Sequence, residues 1–303
     1  MKKVAILAGD RLAEREISLA SAQNVLDNID RMKFDAEIID VDNPAWTSQL
    51  AGFDAAYISC HGDPGENGRL AGYLDLIGLP YTASGVFASA LTFNKFACKR
   101  YLSAFGIAIA KDFLIQDSAK IEIKKIIDQL GLPLFVKPNQ GGSSYGASKV
   151  AQPDDLGKAI RRALDFGGAA IVEQFISGRE LTQGIIKTAA RDLILPITEI
   201  KTSNQFFDFA AKYNNQSREI TPAPLSPAVA NRISRASSKI YDALGCAGLI
   251  RIDYILNDNG LYFLEVNVAP GTTRTSLVPQ AVVAAGMTLM DFITLQIENA
   301  LTR

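Results

Sequence analysis

GLIRIDYILNDNGLYFLEVNVAPGTT, residues 248–273, is the stretch from which the fold can be read. Two apolar, β-branched runs flank Asn257-Asp258-Asn259-Gly260, a composition that reads as a hairpin. With Asn257 opposite Leu261 across a three-residue loop and Gly260 in the left-handed position, Asp253 falls opposite Glu265 and Arg251 opposite Asn267. The period-two pleat then puts all four on one face, with the apolar residues on the other. Carboxylates in such a run need partners, because burying an unpaired charge is costly. Two carboxylates and an amide oxygen that converge repel unless a hard cation lies between them, and oxygen-only ligands favour Mg²⁺ over zinc. Arg251 adds fixed positive charge beside them. An ion-pair network on a solvated sheet face is the plainer alternative. The APGTT turn, which carries backbone N–H groups past the site, weighs against it.

A Mg²⁺ site of this kind usually holds substrate phosphates, which directs the search to anion contacts. GGSSYG, residues 141–146, has the glycines of a phosphate cradle, although Ala147 stands where a P-loop requires lysine. Lys137 ends the buried run PLFVK just before it, and Lys95 lies in a helix flanking the same cleft. Glu173, near the end of the strand AAIVEQFI, and Glu180 after a short turn offer acceptors for an adenine amino group and ribose hydroxyls. Each of these four alone also reads as a snorkelling or surface charge.

The 303 residues suffice for two or three domains, and the 31 basic against 32 acidic residues leave no basic block for nucleic acid or anionic lipid. A small molecule is the expected partner. The cysteines at 60, 98 and 246 form neither a metal pair nor a disulfide framework, which fits a reducing, cytoplasmic setting. No apolar run approaches the roughly 18 residues of a membrane span. Residues 1–90 alternate short apolar runs with amphipathic segments, beginning with VAIL and EREISLASAQNVLDNI, the pattern of βαβ units on a parallel sheet. The first turn, GDRLAE, lacks the glycine fingerprint of a dinucleotide site. A second unit spans 91–180 and a third 181–303, the latter containing a polar, proline-ended stretch at 202–228 that reads as a lid. His61, the single histidine, ends the strand DAAYISC at the edge where open α/β sheets bind ligands, and it reads equally as a satisfied structural histidine.

Together these pieces resemble the D-alanine–D-alanine ligases of the ATP-grasp superfamily. The match runs in order through AEREISLAS (13–21), HGDPGENG (61–68), LPYTASGVFASALTFNK (79–95), VKPNQGGSSYGASKV (136–150), EQFISGREL (173–181), AKY (211–213), GLIRIDYIL and EVNVAPGTTRTSLVP (265–279). The resemblance implies an α/β, three-domain ATP-grasp fold with an N-terminal Rossmann-like parallel sheet. It implies that ATP phosphorylates one D-alanine and that the amine of a second attacks the acyl phosphate, for peptidoglycan synthesis. Asp253, Glu265 and Asn267 look like ligands of two Mg²⁺ ions, for which Mn²⁺ can substitute. Lys95, Lys137, Ser143, Ser144, Glu173 and Glu180 look like ATP contacts, with the backbone of Phe175 and Ile176 facing adenine and Leu264 packing on the ring. Arg251 and the N–H of Gly271 would stabilise the oxyanion, and Lys212 would hold the transferring phosphoryl group. Glu14 would hold the first ammonium, Ser276 beside Leu277 the second carboxylate, and His61 would line the substrate pocket. Ser143 and Tyr213 would join Glu14 in a hydrogen-bonded triad, and relatives are generally homodimers.

Departures fall at Gly9-Asp10-Arg11-Leu12, at Phe209 and Ala210, and at Thr272 to Thr275. They bear on the second substrate more than on the ATP chemistry. Two alternatives accompany the dipeptide ligase: a ligase of the same build with another second substrate, such as D-serine or D-lactate, and a catalytically weak nucleotide-binding relative.

Overall fold

The computed structural model describes residues 1–10, 14–202 and 217–303, and among these the strands fall into three sheets. In chain order the helices are α1 (Arg15–Asn28), α2 (Trp46–Gln49), α3 (Arg69–Ile77), α4 (Val86–Phe93), α5 (Lys95–Ser103), α6 (Ile123–Leu130), α7 (Pro153–Gly167), α8 (Pro227–Ala243), α9 (Leu277–Ala284) and α10 (Leu289–Leu301).

The first sheet is parallel, in the order β2 (Phe34–Asp40), β1 (Lys2–Ala8), β3 (Ala55–Ile58). VAIL is continuously apolar because both faces of β1 are covered. Val4, Ile6 and Ala8 pack with Ala22 and Val25 of α1 and with Ile293 and Ile297 of α10, while Ala5 and Leu7 pack with Leu70 and Leu74 of α3. The end of the chain thus returns to its beginning.

The second sheet is antiparallel, in the order β4 (Asp112–Ile115), β7 (Ala170–Gln174), β5 (Leu134–Pro138), β6 (Ser148–Val150). Leu134, Val136 and Val172 bury one face against Ile126 of α6 and Leu156 and Ile160 of α7. The third sheet runs β11 (Ser217–Ile220), β10 (Thr198–Thr202), β8 (Arg179–Lys187), β12 (Leu249–Asn257), β13 (Gly260–Asn267), with β9 (Asp192–Ile194) paired to β8. Ile250, Ile252 and Tyr254 pack against Ile233 and Ile240 of α8 and against Cys98 and Leu102 of α5. Helix α5 therefore has its apolar side in the core of the third sheet, although it precedes the second sheet in sequence.

The hairpin differs from expectation at its turn. Asn257 pairs with Gly260, so the loop has two residues instead of three, and Asn257 Oδ1 accepts the N–H groups of Asn259 (2.9 Å) and Gly260 (3.2 Å). A bulge between Asp253 and Tyr254 inserts Leu264 as an extra residue and restores the pairing of Asp253 with Glu265 and Arg251 with Asn267. The short turn and the bulge cancel, so the expected register holds where the charges are. Of the stretch read as a lid, residues 203–216 lie outside the described residues, and its later part contains a strand and the start of a helix. Ser217–Ile220 pairs with β10, and α8 begins at Pro227.

Candidate functional site

On the charged face of the hairpin, Arg251 donates to both oxygens of Asp253, from Nε to Oδ1 (3.0 Å) and from Nη2 to Oδ2 (2.9 Å). Thr182 Oγ1 donates to Oδ1 (2.5 Å) and Asn267 Nδ2 to Oδ2 (3.1 Å). Burial works against the guanidinium charge of Arg251, but Asp253 outweighs it and raises the Arg251 pKa above its ordinary value. Glu265 has the ammonium of Lys95 at 3.5 Å. Among the described residues no group of three His, Cys, Asp or Glu side chains is placed to hold a metal ion, so the amide of Asn267 would serve as a third donor beside the two carboxylates. With its amide nitrogen turned to Asp253, Asn267 keeps its oxygen for a cation. An oxygen-only set with two charges fits Mg²⁺, and Arg251 and Lys95 balance those charges here.

A cavity of about 640 Å³ lies between the second and third sheets. Lys95, Lys137, Ser144, Glu173 and Glu180 line it, as do Phe175, Ile176 and Leu264. Leu264 and Glu265 both face it although they are consecutive, which the bulge permits. Helix α5 is docked by Asn139 at the end of β5. Asn139 Oδ1 accepts the Phe96 N–H (2.9 Å), and its Nδ2 donates to Asn94 (3.0 Å), the residue that caps α5. Lys95 then reaches the carbonyl of Gly141 (2.6 Å) at the start of the glycine-rich loop. In that loop Ser143 and Ser144 have φ of +49° and +58°, a left-handed pair that non-glycine residues adopt only when the surroundings impose it.

Glu173 is occupied more fully than the sequence indicates. Lys99 holds its Oε1 (2.5 Å) and Lys137 its Oε2 (3.2 Å). Burial alone would raise the pKa of Glu173, but Lys137 and Lys99 hold it down to about 2. Lys99 and Lys149, whose ammonium sits 4.1 Å from the centre of the Phe175 ring, are cations the sequence reading passed over. Lys99 lies one turn beyond Lys95, and that i to i+4 spacing was the available signal.

A second, smaller cavity of about 110 Å³ adjoins the first and shares Gly142, Arg251, Glu265 and Leu277 with it. Glu14, His61, Ser143, Gly271 and Ser276 line it. Ser143 donates its hydroxyl to Glu14, and a side chain at Gly142 would start 2.9 Å from the Glu14 carboxylate. Ser276 Oγ lies 2.7 Å from Thr273 Oγ1, and a Cβ on Gly271 would stand 3.0 Å from Ser276 Oγ. Both ring nitrogens of His61 are committed: Nδ1 to the carbonyl of Ala269 (2.9 Å) and Nε2 to Ser21 Oγ (3.1 Å). Burial lowers its pKa. The neutral ring therefore ties α1 to the APGTT turn. Glu66, inside the quoted HGDPGENG but given no role, also lines this cavity. Burial and the charge of Glu14 push its acid up to about 8. Lys212 and Tyr213 lie outside the described residues.

Residues 101–298 match the family model described as D-ala D-ala ligase C-terminus. A D-alanine--D-alanine ligase of Phocaeicola vulgatus is 42% identical, the alignment covering 98% of this chain and 99% of that protein. D-alanine--D-alanine ligase from Bacillus anthracis superposes with a TM-score of 0.89 at 29% identity, over 100% of this chain and 98% of that one. Its complex with ATP gives 0.87 at 26%, with the same coverage. VanG D-Ala:D-Ser ligase from Enterococcus faecalis gives 0.85 at 28%, over 99% of both chains. The parallel sheet followed by two antiparallel sheets around a cleft is the ATP-grasp ligase architecture. The chain belongs to the D-alanine–D-alanine ligase family.

Proposed function

We propose that this chain joins two molecules of D-alanine at the expense of one ATP, releasing D-alanyl-D-alanine, ADP and phosphate for peptidoglycan precursor synthesis. The observation that carries the reading is the junction of the two cavities at Arg251 and Glu265. A nucleotide in the large cavity and a small amino acid in the other would meet at that border. Lys95 and Lys137 take the phosphates, Glu180 the ribose, and the backbone of Phe175 and Ile176 the adenine, with Leu264 against the ring. Two Mg²⁺ ions held by Asp253, Glu265 and Asn267 would neutralise and orient the phosphate oxygens. Glu14, held by Ser143, receives the ammonium of the first D-alanine. Arg251 and the Gly271 N–H face the carboxyl carbon where negative charge develops when the second amine attacks. Ser276, at the start of α9, receives the second carboxylate.

A homodimer in the cytoplasm completes the reading. Among the described residues no single helix is long and apolar enough to cross a membrane. Exposed Val86 and Phe87 sit between α3, where Leu76 is also exposed, and the rings of Tyr101 and Phe105, an apolar surface that a second copy would cover.

The test is phosphate release from ATP with D-alanine as the only other substrate, with products identified by mass. In a separate mixture D-alanine competes against D-serine and D-lactate. D-alanyl-D-alanine is expected to predominate at pH 7. Release only when a different acceptor is added would assign the small cavity to another second substrate, and no release with any acceptor would overturn the ligase reading.

A further inference from the structure

We infer that Lys99 is a positioning residue for the phosphate end of the nucleotide cavity: by sharing Glu173 from behind, it leaves the paired Lys137 with net positive charge toward the cleft. The inference rests on the reading of the large cavity as the ATP site. Lys99 is not among the residues lining that cavity, and its side chain is 1% exposed, so it cannot touch the nucleotide. It acts through others.

The pairing of β4 with β7 sets Asp112 directly opposite Glu173, both with buried side chains. Like charges at directly opposed positions of a sheet destabilise it. Lys99 Nζ resolves the conflict by lying between them, 3.2 Å from Asp112 Oδ2 and 2.5 Å from Glu173 Oε1. Arg100, the next residue, takes the other oxygen of Asp112. Lys99 and Arg100 thus balance the two carboxylates, and Lys137, at 3.2 Å from Glu173 Oε2, is the cation in excess. Lys137 also lines the cavity, which makes that excess available to an anion there.

Without Lys99, Lys137 would become the only cation on a buried carboxylate, and its donors would turn inward. The two lysines of α5 have divided tasks. Lys95 reaches the glycine-rich loop and Glu265 on the cleft side, while Lys99 fixes the charge balance behind the sheet.

The experiment compares Lys99→Met, Glu173→Gln and the double variant by steady-state kinetics, with adenosine as a competitive inhibitor that lacks phosphates. Lys99→Met is expected to raise the ATP KM about tenfold or more, while kcat at saturating ATP and adenosine inhibition change less than about threefold. In the Glu173→Gln background, where the charge to be balanced is gone, adding Lys99→Met is expected to change the ATP KM by less than about threefold. Equal losses for ATP and adenosine, or a full loss in the Glu173→Gln background, would overturn the inference. If Lys99→Met does not fold, the second comparison decides alone. Lys137→Met separates the inference from the reading beneath it. An unchanged ATP KM in Lys137→Met would overturn the phosphate role of Lys137, whereas a loss there without one in Lys99→Met would overturn only the role of Lys99.

Discussion

The two cavities meet at one wall but are charged in opposite senses. Lys95, Lys137, Lys149, Arg179, Lys201 and Arg251 line the larger one against five carboxylates, most of which are paired with those cations. The smaller one gathers Glu14, Glu66, Glu219 and Glu265 around Arg251, with a neutral His61. Excess positive charge in a deep cleft suits a polyphosphate, and excess carboxylate in a small pocket suits an ammonium group. The shared residues Arg251 and Glu265 belong to both descriptions, so the strongest tests of the contrast are made there.

Glu265→Gln keeps the shape of β13 but removes one of the two carboxylates proposed to hold Mg²⁺ against the phosphates. The loss is expected to be several kcal/mol of transition-state stabilisation, about 10³-fold or more in kcat/KM. Circular dichroism should be unchanged and the Mg²⁺ requirement shifted to higher concentrations. Near-normal turnover with the original Mg²⁺ dependence would remove Glu265 from the metal site. Arg251→Lys is expected to cost about 10²- to 10³-fold in kcat, because a point charge on a flexible stem cannot replace a planar fork already committed to both oxygens of Asp253. A loss below about tenfold with ATP affinity intact would make Arg251 a structural partner of Asp253.

The sequence disclosed the charged face of the hairpin because period-two spacing puts Arg251 with Asp253 and Glu265 with Asn267, and the register expected at Asp253 holds. It did not disclose the turn. A two-residue loop and a bulge at Leu264 give the same register at Asp253 as a three-residue loop without one, and composition does not distinguish them. Lys99 was hidden for a different reason: a lysine in an amphipathic helix ordinarily reaches solvent. Only the antiparallel pairing of β4 with β7 creates the opposed carboxylates that retain it inside. His61 lines the smaller cavity. Its partners, Ser21 and Ala269, come from segments distant in sequence, so that its ring nitrogens are already engaged became visible only in the fold.

Gly142→Ala sharpens the contrast at the small cavity. The new methyl would lie 2.9 to 3.2 Å from the carboxylate of Glu14, the far end of a flexible side chain that can move aside without disturbing the sheet. Displacing it breaks the contact with Ser143 and moves the acceptor for the ammonium. The expected result is an increase of about tenfold in KM for D-alanine, the scale of one charge-assisted hydrogen bond, with ATP KM nearly unchanged. A larger rise for ATP than for D-alanine would assign Gly142 to the nucleotide loop instead.

The smallest effect on activity is expected from Glu66→Gln, and it tests whether the small cavity carries its full complement of negative charge at pH 7. Glu66 Oε2 accepts the Gly62 N–H at 3.0 Å, while burial and the charge of Glu14 push the acid up to about 8 against the opposing pull of Lys95 and Arg251. The folded chain therefore binds a proton at Glu66 that the unfolded chain, with an ordinary value of 4.5, has released. Stability linked to this group is fully present below pH 4.5 and is lost as pH rises toward 8. Glutamine is neutral throughout and escapes that loss. Glu66→Gln should be more stable to urea unfolding than the unsubstituted protein at pH 8.5, by about 1 kcal/mol or more, and the gain should vanish at pH 5. At pH 7 its KM for D-alanine should change by less than about threefold, since it replaces a group already largely protonated. Parallel stability curves from pH 5 to 8.5 would show that Glu66 is ionised throughout, and all four carboxylates of the pocket would then count toward its negative charge.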